Sequence, residues 1–418
     1  MLTTTYPTIV DIAFDVLPAA KGAAIHVGAF ARALGTAFGD VRLITVADPL
    51  GTQVRDWAGV QHLPVAVHGA NVIERALSFR TGVATTLAAL ADTREPHIYH
   101  VRSIFEGYPL VRRPSRPGRR LVFEVNGLPS IELKYHYPQV AGEREFLSKV
   151  RAQEQALIKA ADLLITPSTV TAAHLHARGA ATQRICVIEN GVDLARFPFQ
   201  APSAPPAGRP LELLYAGTAS AWQGIEVAMQ ALRLLNRELP TRLTVVGPSR
   251  RARSTELRRR ARQLGLGADF RMLPAVDQNA LAVLHHQSDV VLAPLLANDR
   301  NQLQGCCPLK VIEAMACGTP LVGSDLPVVA TLARDGQEAL LVRPNSAKAI
   351  KDAVLRLHHD RALAARLAYA ARDRVRAHYT WTHAGSKLVQ AYQGLLAAPS
   401  VRNRDSSRMS ATRSARPS

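Results

Sequence analysis

Long apolar segments are what the sequence most clearly lacks. No uninterrupted apolar run reaches about 18 residues, the length that a transmembrane helix needs. The opening stretch MLTTTYPTIVDIAFDV lacks the charged segment and apolar core of a signal peptide, and it is typical of a first strand instead. We therefore expect a protein that remains in the cytoplasm.

Cysteine is also scarce. The four cysteines, Cys186, Cys306, Cys307 and Cys317, are too few and too irregularly spaced for a disulfide framework, and the adjacent pair has no second pair at zinc spacing. We interpret all four as small apolar residues in a reducing compartment. The sequence therefore predicts neither a disulfide-bonded fold nor a metal site.

Several phosphate-binding and catalytic motifs are missing. The stretch PAAKGAAIHV after the first apolar segment has a single glycine, Gly22, where the dinucleotide motif G-x-G-x-x-G needs three. Neither a Walker A sequence nor a G-x-S-x-G nucleophile elbow occurs. These absences disfavour an NAD enzyme, a P-loop ATPase and an α/β-hydrolase.

Acidic residues are few relative to basic ones, with 33 Asp and Glu against 51 Lys and Arg and a formal net charge of +18. Residues 398–418 contain five Arg among Ser and small residues, and we expect this tail to be disordered. Residues 112–120 and 250–262 form two further basic clusters, and each is either a solvated face or a contact for an anionic partner. We expect no nucleic acid partner. The candidate contacts for an anionic membrane are Arg112, Arg113, Arg116, Arg119 and Arg120.

Short apolar runs alternate with longer amphipathic stretches in both halves of the chain. In the first half the runs are TIVDIAF, VRLITVA, HIYHVRS, RLVFEVNG, DLLITPS and RICVIENG. In the second they are LELLYAG, RLTVVG, FRMLP, DVVLAPL, PLVGSD and EALLV. This alternation predicts two α/β domains of Rossmann-like type, whose parallel sheets bind ligands at their carboxyl edges and face each other across a cleft.

The Pro- and Ala-rich stretch at 200–210 divides the two halves, because proline fixes φ and lacks a donor. We expect an N-terminal domain over 1–199 and a C-terminal domain over 211–380. A C-terminal helix over 381–397 is expected to pack back on the N-terminal domain.

The stretch GCCPLKVIEAMACGTPLVGSD, residues 305–325, predicts a helix from about Pro308 to Cys317. The exposed N–H groups at its start form a site for a diphosphate. Lys310 is a candidate phosphate ligand, and Glu313 lies far enough along the helix to accept hydrogen bonds from a ribose diol. Spacing alone leaves open a second interpretation, a surface salt bridge between Lys310 and Glu313.

The stretch PLKVIEAMACGTPLVGSD resembles the nucleotide-sugar motif of glycosyltransferase family 4. FEVNGLPSIELKYHYP, ADLLITPSTVTAAHL, VIENGVDLARFPF and LLYAGTASAWQGIEVAMQAL resemble other segments of that family, in the same order. The resemblance implies a GT-B fold with an acceptor-side N-terminal domain and a nucleotide-sugar-binding C-terminal domain. The same resemblance implies a nucleotide-sugar donor, retention of anomeric configuration and no metal or other cofactor. It also implies a set of donor-binding residues: Gly22, Ala23, Gly217, Thr218, Gln223, Pro308, Leu309, Lys310 and Glu313.

The sequence departs from the family pattern in three ways, at four positions. Gly305 stands where a second Glu is common, Thr218 and Gln223 stand where Arg and Lys often neutralise the leaving diphosphate, and Asn126 replaces a sugar-contacting His. We expect Lys310 to take over the neutralisation of the phosphates. The candidate catalytic residues are therefore Lys310, His100 and Asn126, and the acceptor-side candidates are Arg102 and Glu132.

These features predict an enzyme that transfers a sugar from a nucleotide-sugar to a glycan or lipid-linked acceptor, in bacterial surface polysaccharide or glycolipid synthesis. Because many members act on lipid-linked intermediates, peripheral contact with the inner membrane face is part of this expectation. Two alternatives stay open. One is a relative with other chemistry, such as a nucleotide-sugar epimerase or a sugar phosphorylase. The other is a non-catalytic, nucleotide-binding member.

Overall fold

The structure, a computed structural model, describes residues 7–51, 57–91, 97–112, 118–204, 206 and 208–398. Within these ranges, no helix is both long enough and apolar enough to cross a membrane. Two of the candidate membrane contacts, Arg113 and Arg116, lie outside the described residues, as does the basic tail from residue 399 onward.

The described part of the N-terminal half forms a seven-stranded parallel sheet in the order β3-β2-β1-β4-β5-β6-β7. The strand order reverses between β1 and β4, so a crevice opens at the carboxyl ends of these two strands. The strands are β1 Ile9–Val16, β2 Val41–Val46, β3 Val60–Val65, β4 Ile98–Val101, β5 Arg120–Glu124, β6 Leu163–Thr166 and β7 Ile185–Val187. The helices are α1 Gly22–Phe38, α2 Val72–Ala91, α3 Ile104–Val111, α4 Pro129–His136, α5 Arg144–Ala160 and α6 Thr169–Ala177.

The described part of the C-terminal half forms a six-stranded parallel sheet with the analogous order β10-β9-β8-β11-β12-β13. Its crevice lies between β8 and β11. The strands are β8 Leu211–Ala216, β9 Thr241–Val246, β10 Phe270–Leu273, β11 Val290–Ala293, β12 Leu321–Ser324 and β13 Leu340–Val342. The helices are α7 Ile225–Leu235, α8 Arg251–Gln263, α9 Gln278–His286, α10 Leu309–Cys317, α11 Pro327–Ala330, α12 Ala347–His359 and α13 Arg361–His378.

The last helix, α14 Trp381–Ala397, returns to the N-terminal domain after the C-terminal domain is complete. Its apolar face, including Leu388 and Tyr392, shares a buried cluster with Phe30 and Leu34 of α1. At the crossing point, Val192 pairs with Thr380 in an isolated parallel bridge. The two domains are thus joined at two points, before β8 and before α14.

Strand β3 is absent from the sequence-based prediction. Its sequence, VQHLPV, contains Pro64, which cannot donate to a sheet ladder, and only Val65 of the six residues is buried. Proline is tolerated here because β3 is the edge strand of its sheet and pairs with β2 alone. Because its apolar and polar residues alternate only weakly and it contains a proline, this segment was not predicted as a strand.

Candidate active site

A cleft of about 960 Å³ lies between the carboxyl edges of the two sheets. The loop after β1 and the start of α1 line it from the N-terminal domain. The loop after β8, a short segment after β9 and the start of α10 line it from the C-terminal domain. Both crevices that the strand orders predict therefore open into this one cavity.

Two helix N-termini meet across this cleft. Helix α1 begins at Gly22 and α10 begins at Leu309, and a Cβ built on Gly22 would lie only 3.1 Å from Leu309 Cδ1. Among the described residues, no side chain caps either helix start, and neither first turn contains an acidic residue. Unpaired N–H groups and the positive ends of two helix dipoles thus point into one space, an arrangement that favours an anion.

Lys310 is the only buried lysine among the described residues, and it lines the cleft. Its Nζ donates to Tyr215 Oη at 2.9 Å and to Gln223 Oε1 at 2.5 Å, and it lies 4.1 Å from the centre of the Tyr215 ring. Burial disfavours the charged amine and lowers its pKa to about 7, although the charge of Glu313 acts in the opposite direction. The Lys310 amine is therefore held in place, and a nearby anion would stabilise its charged form.

Glu313, one turn further along α10, is also 94% buried and lines the same cleft. Within the described part of the chain its carboxylate has no hydrogen-bond or ion-pair partner. Burial raises its pKa to about 7, with Lys310 acting against this shift. The alternative of a solvated Lys310–Glu313 salt bridge is therefore wrong, because both side chains are buried and no ion pair joins them.

The start of α10 differs slightly from the prediction. Pro308 is the N-cap, with φ −73° and ψ 109°, and the first helical residue is Leu309. Pro308 and Leu309 both line the cleft, as do Ala23 and Gly217. Gly217 has a positive φ of 139°, and a Cβ there would lie 3.2 Å from Lys310 Nζ, so a side chain at this position would crowd the amine.

The two positions that depart from the family pattern beside Lys310 have definite contacts. Gln223 accepts a hydrogen bond from Lys310, and the Thr218 carbonyl accepts one from the Tyr215 hydroxyl at 2.8 Å. Both residues line the cleft. They support the amine of Lys310 rather than supply a charge of their own.

His100 does not reach the cleft. Its imidazole is fully buried, with Nδ1 2.7 Å from the Tyr392 hydroxyl and Nε2 3.0 Å from Glu124. Burial opposes its charged form, but the charge of Asp11 and the contact with Glu124 outweigh burial and raise its pKa. The predicted contact of His100 with donor or acceptor is not made in this structure, because Glu124 lies against its ring.

Arg102 and Asn126 do line the cleft, but both are bound to the same carboxylate. Arg102 contacts Glu124 at 3.2 Å and Asp15 at 2.9 Å, and the Asn126 amide donates to Glu124. Although burial opposes ionisation of Glu124, the charges of His26 and Arg102 outweigh it and hold its pKa well below the ordinary value. Arg102 and Asn126 therefore connect the cleft wall to a cluster of charged side chains centred on the buried Glu124.

Glu132 lies in α4, and its carboxylate bridges the two domains. Its carboxylate contacts Arg300 at 3.1 Å and accepts a hydrogen bond from Gln304 at 2.8 Å, both in the π-helical turn Arg300–Gln304. Gly305 follows this turn with φ 80°, and a Cβ there would lie 2.7 Å from Ser168 Oγ of the N-terminal domain. The glutamate that is common at this position in the family has no room here.

The basic segment at 112–120 is partly engaged in the fold. Arg119 stacks over the Tyr99 ring at 5.4 Å, and Arg120 donates to the Ala398 carbonyl at 2.5 Å. The structure describes three of the candidate membrane contacts. Among them, only the side chain of Arg112 contacts neither a ring nor a carbonyl of the fold.

Two further cleft residues were not predicted from the sequence: Asn190, which bonds to Cys307 of the C-terminal domain, and His26, which contacts Asn190. Neither residue belongs to a recognisable motif. His26 stands four residues after the Gly that opens α1, and Asn190 is the Asn of ENG. No group of three or more metal-ligating side chains occurs among the residues that the structure describes.

Two Rossmann-like domains with their carboxyl edges across a shared cleft define the GT-B class of fold. Two family models cover nearly all of both domains: Glycosyltransferase Family 4 matches residues 20–196, and Glycosyl transferases group 1 matches residues 198–374. The chain therefore belongs to glycosyltransferase family 4.

Two relatives are similar over part of the chain. Glycogen synthase from Mycobacterium tuberculosis is 31% identical over 246 residues, which cover 58% of this chain and 57% of that protein. D-inositol 3-phosphate glycosyltransferase from Jonesia denitrificans is 29% identical over 270 residues, which cover 59% and 60% respectively. The chain thus spans little more than half the length of these relatives.

Solved structures agree on the fold over nearly the whole chain. Sucrose-phosphate synthase from Thermosynechococcus elongatus superposes with a TM-score of 0.76 at 22% identity, covering 93% of this chain and 99% of that one. Anabaena HepE in complex with UDP-glucose gives a TM-score of 0.71 at 14% identity, covering 93% and 100%. At such identities the likeness shows the fold alone.

Proposed function

We propose that this protein is a retaining glycosyltransferase that moves a sugar from a nucleotide-sugar donor to a glycan or lipid-linked acceptor in surface polysaccharide or glycolipid synthesis. The observation that carries the proposal is the convergence of two uncapped helix N-termini, a buried amine and a buried unpaired carboxyl on one interdomain cleft. Family membership and the relatives that are named as glycosyltransferases support it.

The donor diphosphate would lie between the starts of α1 and α10. Backbone N–H groups of Gly22 and Ala23 would face it from one side, and those of Leu309 and Lys310 from the other. The Lys310 amine would regain its proton beside this anion, because an opposite charge offsets the burial that lowers its pKa. Glu313, as a carboxylate, would accept hydrogen bonds from both ribose hydroxyls.

Retention follows most simply from front-face transfer, in which the departing phosphate takes the acceptor proton. The contacts of the N-terminal wall support this, because three of its four described carboxylates bind partners in the fold and the fourth, Asp193, pairs with Arg196 at 3.3 Å. Glu132 binds Arg300, Asp15 binds Lys21 and Arg102, and Glu106 accepts hydrogen bonds from the N–H groups of Arg102 and Ser103. None of these three is free to act as nucleophile or base, so electrostatic stabilisation of the leaving group carries the rate.

The chemistry proposed needs no metal or other cofactor, because Lys310 and the two helix ends supply the positive charge on the leaving diphosphate. Thr218 and Gln223 are compatible with activity on this account, since they hold the amine that replaces the missing cations. This favours an active transferase over a non-catalytic nucleotide-binding member.

A donor screen tests the proposal. The protein is incubated with UDP-, ADP-, GDP- and dTDP-sugars, with and without EDTA, and released nucleoside diphosphate is measured. We expect release from one donor class, unaffected by EDTA, and a product whose anomeric configuration by NMR matches the donor. An inverted product, or a donor sugar epimerised without release, would contradict the proposal, and loss of activity in EDTA would contradict its metal-independent part.

A further inference from the structure

Asn190 links the two domains at the base of the cleft. Its Nδ2 donates to the Cys307 carbonyl at 2.7 Å, its backbone N–H donates to Cys307 Sγ at 3.2 Å, and its Oδ1 lies 2.7 Å from His26 Nδ1. Asn190 follows β7 in the N-terminal domain, His26 lies in α1, and Cys307 directly precedes the N-cap of α10. One side chain thus contacts the approach to both opposed helices.

These contacts fix the orientation of the amide. Because the Cys307 carbonyl only accepts, the Asn190 NH₂ group must face it and Oδ1 must face His26. Since Oδ1 also only accepts, His26 Nδ1 carries the proton of their hydrogen bond. The other ring nitrogen, His26 Nε2, lies 2.7 Å from the Glu124 carboxylate, but within the described residues it has no hydrogen-bond partner.

The linked residues lie directly behind the proposed diphosphate site. His26 is one turn inside α1 from Gly22, and Cys307 is two residues before Leu309. Pro308, between Cys307 and Leu309, has no N–H of its own. Asn190 engages both the carbonyl and the thiol of Cys307, so it holds the chain where α10 begins.

We propose that Asn190 is a positioning residue: together with His26, it sets the separation between the N-termini of α1 and α10. This rests on the proposed function, since a diphosphate is the ligand that would bridge the two helix ends. A catalytic site tolerates only a few tenths of an ångström of displacement before its rate falls. Loss of this link would let the start of α10 move relative to α1 without altering any group that touches the donor.

Two variants separate the two arms of the link. Asn190→Ala removes both side-chain contacts and leaves only the backbone N–H to Cys307 Sγ. Asn190→Asp keeps the shape and accepts from His26, but its carboxylate cannot donate to the Cys307 carbonyl and repels it. The matched control is Asn236→Ala, since Asn236 also joins separate segments, through Thr241 and Asp269, but lies outside the cleft.

Hydrogen exchange reports the link without any ligand. We expect peptides covering residues 307–317 to exchange about tenfold faster in Asn190→Ala and Asn190→Asp than in wild type, with peptides of β8 and β9 unchanged. Asn236→Ala should leave 307–317 as in wild type. Unchanged exchange at 307–317 in both Asn190 variants overturns the proposal, and so does a change in Asn190→Ala that Asn190→Asp does not share.

Ligand measurements add the functional consequence. By titration calorimetry, UDP and inorganic pyrophosphate should bind both Asn190 variants about tenfold more weakly, and kcat/KM for the donor found in the screen should fall by a similar factor. If wild type turns over no nucleotide-sugar but the exchange difference appears, the proposed function fails and the link stands. If wild type is active and the Asn190 variants keep its affinity and kcat/KM, the positioning role fails alone.

Discussion

Lys310→Met should make the protein more stable while it destroys activity. The amine is buried among Tyr215, Gln223 and the neighbouring carboxyl of Glu313, and its pKa is lowered from 10.5 to about 7 by burial. Methionine keeps the unbranched chain and its packing but has no charge to desolvate. The variant therefore separates what the lysine costs the fold from what it contributes to the site.

The magnitude follows from the pKa. A fall from 10.5 to about 7, at about 1.36 kcal/mol for each pKa unit, corresponds to about 5 kcal/mol of destabilisation while the amine is protonated in both the folded and unfolded chain. Methionine forfeits two hydrogen bonds from a charged donor, each worth about 1.5 kcal/mol. The Tyr215 hydroxyl still donates to the Thr218 carbonyl. We expect a net gain of about 2 kcal/mol at pH 6, or about 5 °C in Tm.

The effect should depend on pH in a defined direction. Below pH 7 the folded state carries the full cost of the buried charge. Between pH 7 and 10.5 the unfolded chain binds a proton that the folded one lacks, so wild-type stability rises with pH and the advantage of the variant shrinks. At pH 9 about 2 kcal/mol of the cost remains, about 1 kcal/mol less than the two lost hydrogen bonds contribute, so the variant should be slightly less stable than wild type there. Thermal melts of both proteins at pH 6 and pH 9 measure this.

Lys348→Met is the matched control, because Lys348 is exposed and pairs only with Asp352, and it should change stability by less than about 0.5 kcal/mol. With the donor identified in the screen, Lys310→Met should lower kcat about a hundredfold or more, since the leaving diphosphate loses its cation. A variant that melts below wild type at pH 6, with a difference that pH does not alter, would refute the account of a desolvated amine.

Two further predictions concern the donor and the membrane. Glu313→Gln should weaken UDP binding about tenfold, because the amide donates where the ribose diol also donates. Binding needs a protonated Lys310 and an ionised Glu313, and both groups have a pKa of about 7, so the affinity of wild type for UDP should peak near pH 7. The variant has no carboxyl to protonate, so its affinity should no longer fall below pH 7 but should still fall above it. Calorimetry across pH 5.5–8.5 measures this. Changing Arg112, Arg113 and Arg116 to Gln should abolish salt-sensitive cosedimentation with anionic vesicles, at about 1 kcal/mol per charge, and equal binding by both proteins would exclude this segment.

The architecture was predictable because parallel sheets covered on both faces need continuous apolar strands. Runs such as LELLYAG and DVVLAPL are bounded by turn residues and are long enough to recognise without any knowledge of their neighbours. The same logic missed β3, whose half-exposed residues and proline fit only an edge position. The other edge strands, β7, β10 and β13, were predicted, so the proline and the half-exposed residues of β3 account for its omission.

The site was predictable where function depends on local geometry. The spacing of Lys310 and Glu313 on one helix follows from helical periodicity. Their partners do not, because Tyr215, Gln223 and the helix start at Gly22 are brought close only by the packing of β8 against α10 and of one domain on the other. His100 was misplaced for the same reason: its ring nitrogens lie against Tyr392 of α14 and Glu124 of the neighbouring strand, and it does not line the cleft.

Gln223→Lys would restore the cation that is common in the family, yet it should weaken the site. The Lys310 Nζ lies 2.5 Å from Gln223 Oε1, so a lysine at 223 would bring a second ammonium against the first in a buried space. Like charges disfavour each other's protonation, and the pKa of Lys310 would fall further below 7. At pH 7.5 the variant should bind UDP more weakly and turn over the donor more slowly than wild type. Calorimetry and steady-state kinetics decide this, with Gln223→Met, which removes the acceptor but adds no charge, as the comparison. If Gln223→Lys bound UDP more tightly than wild type, Gln223 would be a lost phosphate ligand and not the support of Lys310.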